Sequence, residues 1–220
     1  MSFCPGAAKG PTACRTLGGF AGAGAAVVAV GDVTGDHFPD IVAGVPGRGA
    51  AGALLMWRGG RRGPAGAPAE ITQQSPGIRG HDQAGDLFGA ALALTDLDRD
   101  GFTDLVVGAP GEDEGAGRVT LAFGGPDGLV PEGGRVYSEG ERGLPGTKRP
   151  GQHFGAALGV LDTNDDGRPE LCVAVPAGRG TVVTLPGFDG GFARAGSSAF
   201  SLARLRDGRP ARDEKLHIGG

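Results

Sequence analysis

The 220-residue chain carries 46 Gly and 16 Pro, more than a quarter of all residues, which argues against long helices. Its 39% hydrophobic residues gather in Val, Leu and Ala clusters without a collagen-type repeat, so the composition fits a folded, turn-rich β protein and not a disordered one. A net charge of −4, from 21 basic and 25 acidic residues, excludes a global basic footprint for nucleic acid and a polybasic segment for a membrane surface.

The first fifteen residues, MSFCPGAAKGPTACR, read as loop and lack the basic start, apolar core and small-residue cleavage site of a signal peptide. Three Cys are too few for a disulfide scaffold, but Cys4 and Cys14 lie close enough to pair in an exported protein. Cys172, inside Leu171-Cys172-Val173-Ala174-Val175, is expected to be a buried, inert thiol. The longest apolar run, Ala25 to Val30, is far short of the ~18 residues that span a bilayer, so no membrane span is expected.

Three stretches then superpose without a gap: Gly24 to Pro46, Phe88 to Pro110 and Phe154 to Pro176. Their first aspartates, Asp32, Asp96 and Asp162, stand 64 and 66 residues apart. Each unit opens on a short apolar run (Ala25 to Gly31, Ala90 to Thr95, Ala156 to Leu161), short enough for a strand. An acidic turn follows, then a second run (Asp40 to Gly44, Asp104 to Gly108, Glu170 to Ala174) stopped by Pro46, Pro110 or Pro176, which cannot donate to a ladder. Third runs lie at Ala53 to Trp57, Arg118 to Phe123 and Thr181 to Leu185, and weaker fourth runs near Ala69 to Gln73, Arg135 to Ser138 and Ala199 to Leu205. Four short strands in each of three ~65-residue units predict an all-β fold of β-propeller blades, each four antiparallel strands, with a β-solenoid as the alternative. The blades are placed at residues 24–75, 76–140 and 141–205, between an N-terminal segment 1–23 and a C-terminal segment 206–220.

The turns alternate oxygen-bearing residues: Asp32-x-Thr34-x-Asp36-x-x-x-Asp40, Asp96-x-Asp98-x-Asp100-x-x-x-Asp104 and Asp162-x-Asn164-x-Asp166-x-x-x-Glu170. Alternate side chains of a tightly curled loop converge on one point, and oxygen donors suit a hard cation such as Ca²⁺. With Asp165, the three loops hold 11 of the 25 carboxylates, whose repulsion opposes a compact turn unless a cation neutralises it. Three solvated turns without a ligand are the plain alternative. An EF-hand is a poor fit, because position twelve is Ala43, Val107 or Val173 where that motif needs a bidentate Glu.

Phe88-Gly89, Phe154-Gly155, the three acidic loops and Gly108-Ala109-Pro110 together resemble the FG-GAP repeats of integrin α-subunit propellers and of related bacterial secreted proteins. The resemblance covers most of residues 20–205. It implies up to three Ca²⁺ sites built from side chains at positions one, three, five and nine, plus the main-chain carbonyl of position seven, namely Phe38, Phe102 and Arg168. Loop two is complete. Loop one has Thr34 at position three and His37 in place of Gly, a position that requires positive φ at a cost to His, and its Phe-Gly is replaced by Gly24-Ala25. Loop three keeps Gly167 but has Asn164 and the longer Glu170, so it ranks between or below.

The resemblance implies a non-enzymatic, extracellular interaction or adhesion scaffold. No nucleophile stands beside an activating base; His81-Asp82 and His153 precede the Phe-Gly pairs and read as blade-connecting residues, and His217 lies near the chain end. An accessory or carbohydrate-binding propeller of a secreted hydrolase is the alternative, with Trp57, Tyr137 or Phe residues stacking on sugars; a non-functional fragment of a longer propeller is another. The partner is a protein or glycan of unknown identity. Three repeats fall short of a closed ring, and Leu216 to Gly220 looks like the opening of a further one. Apolar outer faces of the end blades, read as including Val28, Val30, Leu54, Val182 and Leu185, are therefore expected to be exposed and to drive self-association.

Overall fold

The structure is a computed structural model that describes residues 2–4, 14–19, 27–64, 66–177 and 180–202. Gly24-Ala25, His217 and the segment Leu216 to Gly220 lie outside them. In chain order the strands are β1 Ser2–Phe3, β2 Arg15–Thr16, β3 Val27–Gly31, β4 Asp40–Val45, β5 Ala53–Trp57, β6 Ala69–Ile71, β7 Ala91–Thr95, β8 Asp104–Ala109, β9 Arg118–Ala122, β10 Arg135–Tyr137, β11 Leu158–Leu161, β12 Glu170–Val175, β13 Thr181–Leu185, β14 Gly187–Phe188, β15 Gly191–Phe192 and β16 Ser198–Ser201. A single turn, α1 Glu112–Gly115, stands between β8 and β9.

Three four-stranded sheets organise the molecule, β3-β4-β5-β6, β7-β8-β9-β10 and β11-β12-β13-β16, with every pairing antiparallel. These are the blades of a propeller-type fold, and they do not close into a barrel. The four-run pattern in each repeat therefore corresponds to a sheet, with one departure. In the third sheet a hairpin, β14 with β15, is inserted between the third and fourth strands. Of the first strands of the three sheets, β7 lies between β3 and β11.

Side chains alternate across each strand, so neighbouring sheets bury facing sets. Leu54 and Met56 of the first sheet pack with Phe88, Leu105 and Val107; Val119, Leu121 and Tyr137 of the second pack with Phe154, Leu171, Val173 and Leu185. Phe88 and Phe154 are fully buried between sheets, each burial being worth about 1.5–3 kcal/mol. Both also lock backbone: Phe88 N–H donates to the Ala51 carbonyl (2.7 Å) and Phe154 N–H to that of Ala116 (3.1 Å), each in the loop after the second strand of the preceding sheet. Beside them, Gly44 and Gly108 lack a Cβ where one would overlap the carbonyl oxygens of Gly89 and Gly155.

The outer faces differ from expectation. Leu54 and Leu185 are fully buried, because the two-residue period points them inward at the second sheet. On the opposite face of the first sheet, Ala43, Val45, Leu55 and Trp57 are covered by Phe3 of β1 and by Leu17, which follows β2, leaving Val28 and Val30 exposed. A Cys4–Cys14 disulfide closes the β1-β2 hairpin. The outer face of the third sheet has no such cover among the described residues: Leu161 and Phe200 are exposed and Val182 half-buried. Cys172 is on this face, half-buried and not buried as expected, with Sγ 3.9 Å from Thr184 Oγ1. Trp57 and Tyr137 are wholly buried, which removes them as sugar-stacking residues.

Candidate metal centre

Each acidic loop joins the first two strands of a sheet, so the ladder registers Gly31↔Asp40, Thr95↔Asp104 and Leu161↔Glu170 fix where positions one and nine meet. The ninth carboxylates are buried while the loop tips are exposed. Asp40 accepts from Thr34 N–H (3.0 Å) and Gly59 N–H (2.7 Å); Asp104 accepts from Leu97 N–H (2.8 Å) and Gly124 N–H (3.0 Å). Glu170 accepts from Thr163 N–H (2.8 Å) and from the Thr163 hydroxyl. The position-nine side chain thus staples loop to sheet in every repeat.

The first residue curls the loop tip. Asp32 accepts from Asp36 and His37 N–H (3.0 and 2.8 Å), Asp96 from Gly101 N–H (3.1 Å), and Asp162 from Asp166 and Gly167 N–H (3.2 and 2.8 Å). Position five holds position seven: Asp36, Asp100 and Asp166 accept from the N–H of Phe38, Phe102 and Arg168 at 2.8–2.9 Å. Two residues per loop adopt left-handed backbone, at positions four and six: Gly35 and His37, Arg99 and Gly101, Asp165 and Gly167. His37 holds the positive φ (68°) expected of this position. Position four escaped the sequence reading, however: each loop places one Gly and one L-residue over its two left-handed positions, so backbone conformation does not separate the loops and their ranking rests on the donor sets.

In the second loop, oxygens of Asp96, Asp98 and Asp104 lie within 4.8 Å of one another, the one such group of three acidic, His or Cys side chains among the described residues. Asp100 is outside that set but beside it: its N–H donates to Asp98 (3.3 Å), its carboxylate accepts from Phe102, and its charge reaches Asp98 and Asp104. Burial pushes Asp104 up to about 7 against the two backbone bonds it accepts, with the Asp98 and Asp100 charges adding to the rise. Burial, then the Asp100 charge, raises Asp98. Both shifts come first from burial and then from the neighbouring carboxylates. In the third loop the Asn164 amide supplies part of one, donating to Asp166 (3.0 Å) and Glu170 (3.3 Å). In the first, Thr34 Oγ1 is buried with no hydrogen-bond partner. A hard cation held by oxygen donors fits these observations.

His153 is a connecting residue: its N–H donates to the Gly115 carbonyl (2.7 Å) and its Nδ1 lies 3.0 Å from the Pro110 oxygen.

The model of the FG-GAP repeat matches residues 23–55 and 88–121. Human phosphatidylinositol-glycan-specific phospholipase D is 44% identical over 94 residues, which are 41% of this chain and 11% of that protein. Mouse integrin alpha-IIb is 39% identical over 89 residues, 39% of this chain and 8% of the integrin. Integrin alpha-3 of Cricetulus griseus is 28% identical over 155 residues, 66% of this chain and 13% of the integrin. The chain thus spans about a tenth of the length of these relatives, between 8% and 13%. Residues 23–55 and 88–121, which hold the opening strands of the first and second sheets, are FG-GAP repeats, and parts of the chain are homologous to segments of integrin alpha chains and of phosphatidylinositol-glycan-specific phospholipase D.

Proposed function

We propose that this chain is a calcium-binding FG-GAP module that acts as a non-enzymatic, extracellular interaction scaffold. The observation that carries the reading is the second loop, where three carboxylates converge within 4.8 Å at the mouth of a sheet. Asp96, Asp98, Asp100 and Asp104 would hold the cation with the Phe102 carbonyl. Loop one would use Asp32, Thr34, Asp36, Asp40 and the Phe38 carbonyl; loop three would use Asp162, Asn164, Asp166, Glu170 and the Arg168 carbonyl. The cation supplies the positive charge that lets the carboxylates share one small volume, and the chain supplies a rigid set of oxygens. The unpartnered Thr34 hydroxyl supports the same reading for loop one.

The Cys4–Cys14 disulfide supports an extracellular setting, since such bonds persist in oxidising compartments. No helix among the described residues is long and apolar enough to cross a membrane. The partner, a protein or glycan or a second copy, would meet the exposed outer face of the third sheet around Leu161 and Phe200. Sedimentation of Phe200→Asp should show less association than the parent chain, and unchanged association would exclude this face.

Titration calorimetry tests the cation reading. Asp98→Asn should weaken calcium binding at one site by tenfold or more, roughly the loss of one charged ligand (about 1.5–3 kcal/mol). Absence of calcium binding by the parent chain at millimolar concentration would refute the proposal.

A further inference from the structure

The acidic loops are tied to one another in series, and the two ties differ. Between loops one and two the tie is backbone to backbone: Thr103 N–H donates to the Asp32 carbonyl (2.8 Å) and Gly125 N–H to that of Val33 (3.1 Å). The Phe102 ring also fills the space that a side chain at Gly35 would need. Between loops two and three the first of these bonds cannot form, because Pro169 stands at the position of Thr103 and has no N–H. A side chain takes over. The Arg99 guanidinium of loop two donates to the Gly167 carbonyl of loop three. A long bond from Gly190 N–H to the Leu97 carbonyl (3.4 Å) accompanies it from the β14-β15 hairpin.

Gly167 is the left-handed residue at the curl of loop three, and its N–H donates to Asp162 Oδ2 (2.8 Å). Arg99 therefore grips one end of the residue whose other end holds the first oxygen donor of the loop. Arg99 is itself left-handed (φ 62°), at a position that Gly35 fills without strain in loop one. Its φ is set by the curl of loop two, so an ordered loop two aims the guanidinium. Asp189 of the hairpin tip, paired with Arg168 at 3.1 Å on the exposed surface, lies near enough to feel the Arg99 charge.

Resting on the calcium reading above, we propose that Arg99 is a positioning residue through which cation binding at loop two raises the cation affinity of loop three. A cation at loop two fixes the backbone of residues 96–104, hence the reach of Arg99, hence the Gly167 peptide. Linkage makes the effect reciprocal: occupancy of loop three favours occupancy of loop two by the same factor.

The test follows the backbone amide of Gly167 by nuclear magnetic resonance while calcium is added to the full chain, with the Gly101 amide reporting loop two. Asp96→Asn with Asp98→Asn, which disables loop two, should weaken the affinity read at Gly167 about fivefold, the low end of site-to-site coupling. Arg99→Met, which keeps the aliphatic stem and loses the donor, should weaken it by a similar factor. Combining the two should add nothing, and Arg99→Lys should recover part of the loss. Unchanged affinity in Arg99→Met, or losses that multiply in the combination, would overturn the coupling while leaving calcium binding intact. A Gly167 amide that never shifts with calcium in the parent chain would refute the calcium reading of loop three, and the coupling with it.

Discussion

His37 shows how one residue type sets a cost within an otherwise repeated design. It holds a left-handed backbone (φ 68°) where the other loops place Gly101 and Gly167. An L-residue in that region gives up about 1 kcal/mol relative to Gly. His37→Gly should therefore raise stability by about that amount and tighten calcium at loop one. Denaturant melts would show it, and a loss of stability would mean that the imidazole makes a contact worth more than the strain. A second residue carries a cost of another kind. Glu139 is buried, Oε2 has no hydrogen-bond partner, and burial holds its carboxyl above the ordinary value. Gln73, at the matching register beyond the first sheet's last strand, instead donates to Glu112 (2.7 Å). Because the folded state binds the Glu139 proton more tightly than the unfolded chain does, this residue's contribution to stability falls as pH rises from about 4.5 through its raised value. Glu139→Gln should remove that slope and stabilise the protein by about 1 kcal/mol at neutral pH, with no gain at pH 4. Melts of both chains across this pH range would check it.

Strands and sheets were largely legible in the sequence, and the reasons are local. The acidic loop, the proline stop and the apolar run between them repeat in register, so β4, β8 and β12 begin at Asp40, Asp104 and Glu170, where the pattern places them. What escaped was set by distant partners. The parity of Leu54 and Leu185 depends on which face meets a neighbouring sheet, and the cover over Leu55 and Trp57 comes from a two-residue strand pair without periodicity. The β14-β15 hairpin is made of Gly, Phe and Asp, which read as loop, yet it is tied to the second sheet by Arg135 Nε donating to Gly190 O (3.1 Å) and by Tyr137 OH bonding to Phe192 (3.1 Å). Within the candidate site, positions one, three and nine of loop two converge as the spacing predicts, whereas the left-handed turn at Arg99 and its reach to Gly167 carry no sequence signal. At the junctions, sheet-to-sheet distance is set by Gly44 and Gly108. Gly108→Ala should cost about 1–3 kcal/mol, as overpacking does, because its Cβ meets backbone that cannot rotate away. Ala at the exposed Gly101, whose surroundings are open, should act mainly through its positive φ. Equal stability of Gly108→Ala and the parent would show that the sheets slide to accommodate it.

At the scale of the molecule, the three sheets are held from two sides: Phe88 and Phe154 pin them at one set of loops, and the acidic turns tie them at the other. The first set needs no ligand. The second gathers Asp98 and Asp104 with carboxyls raised first by burial and then by neighbouring carboxylates, so on the calcium proposal a bound cation stabilises it. A cation that binds the folded loops alone adds about 2.7 kcal/mol per site at a hundred times its dissociation constant. For a chain of this size each such increment is worth about 5–10 °C in melting temperature. Thermal melting of the full chain in saturating calcium and in excess chelator is therefore the most direct measurement. A midpoint higher in calcium by about 5 °C or more, with magnesium giving little of the gain, is the predicted result; coincident midpoints in calcium and chelator would contradict it.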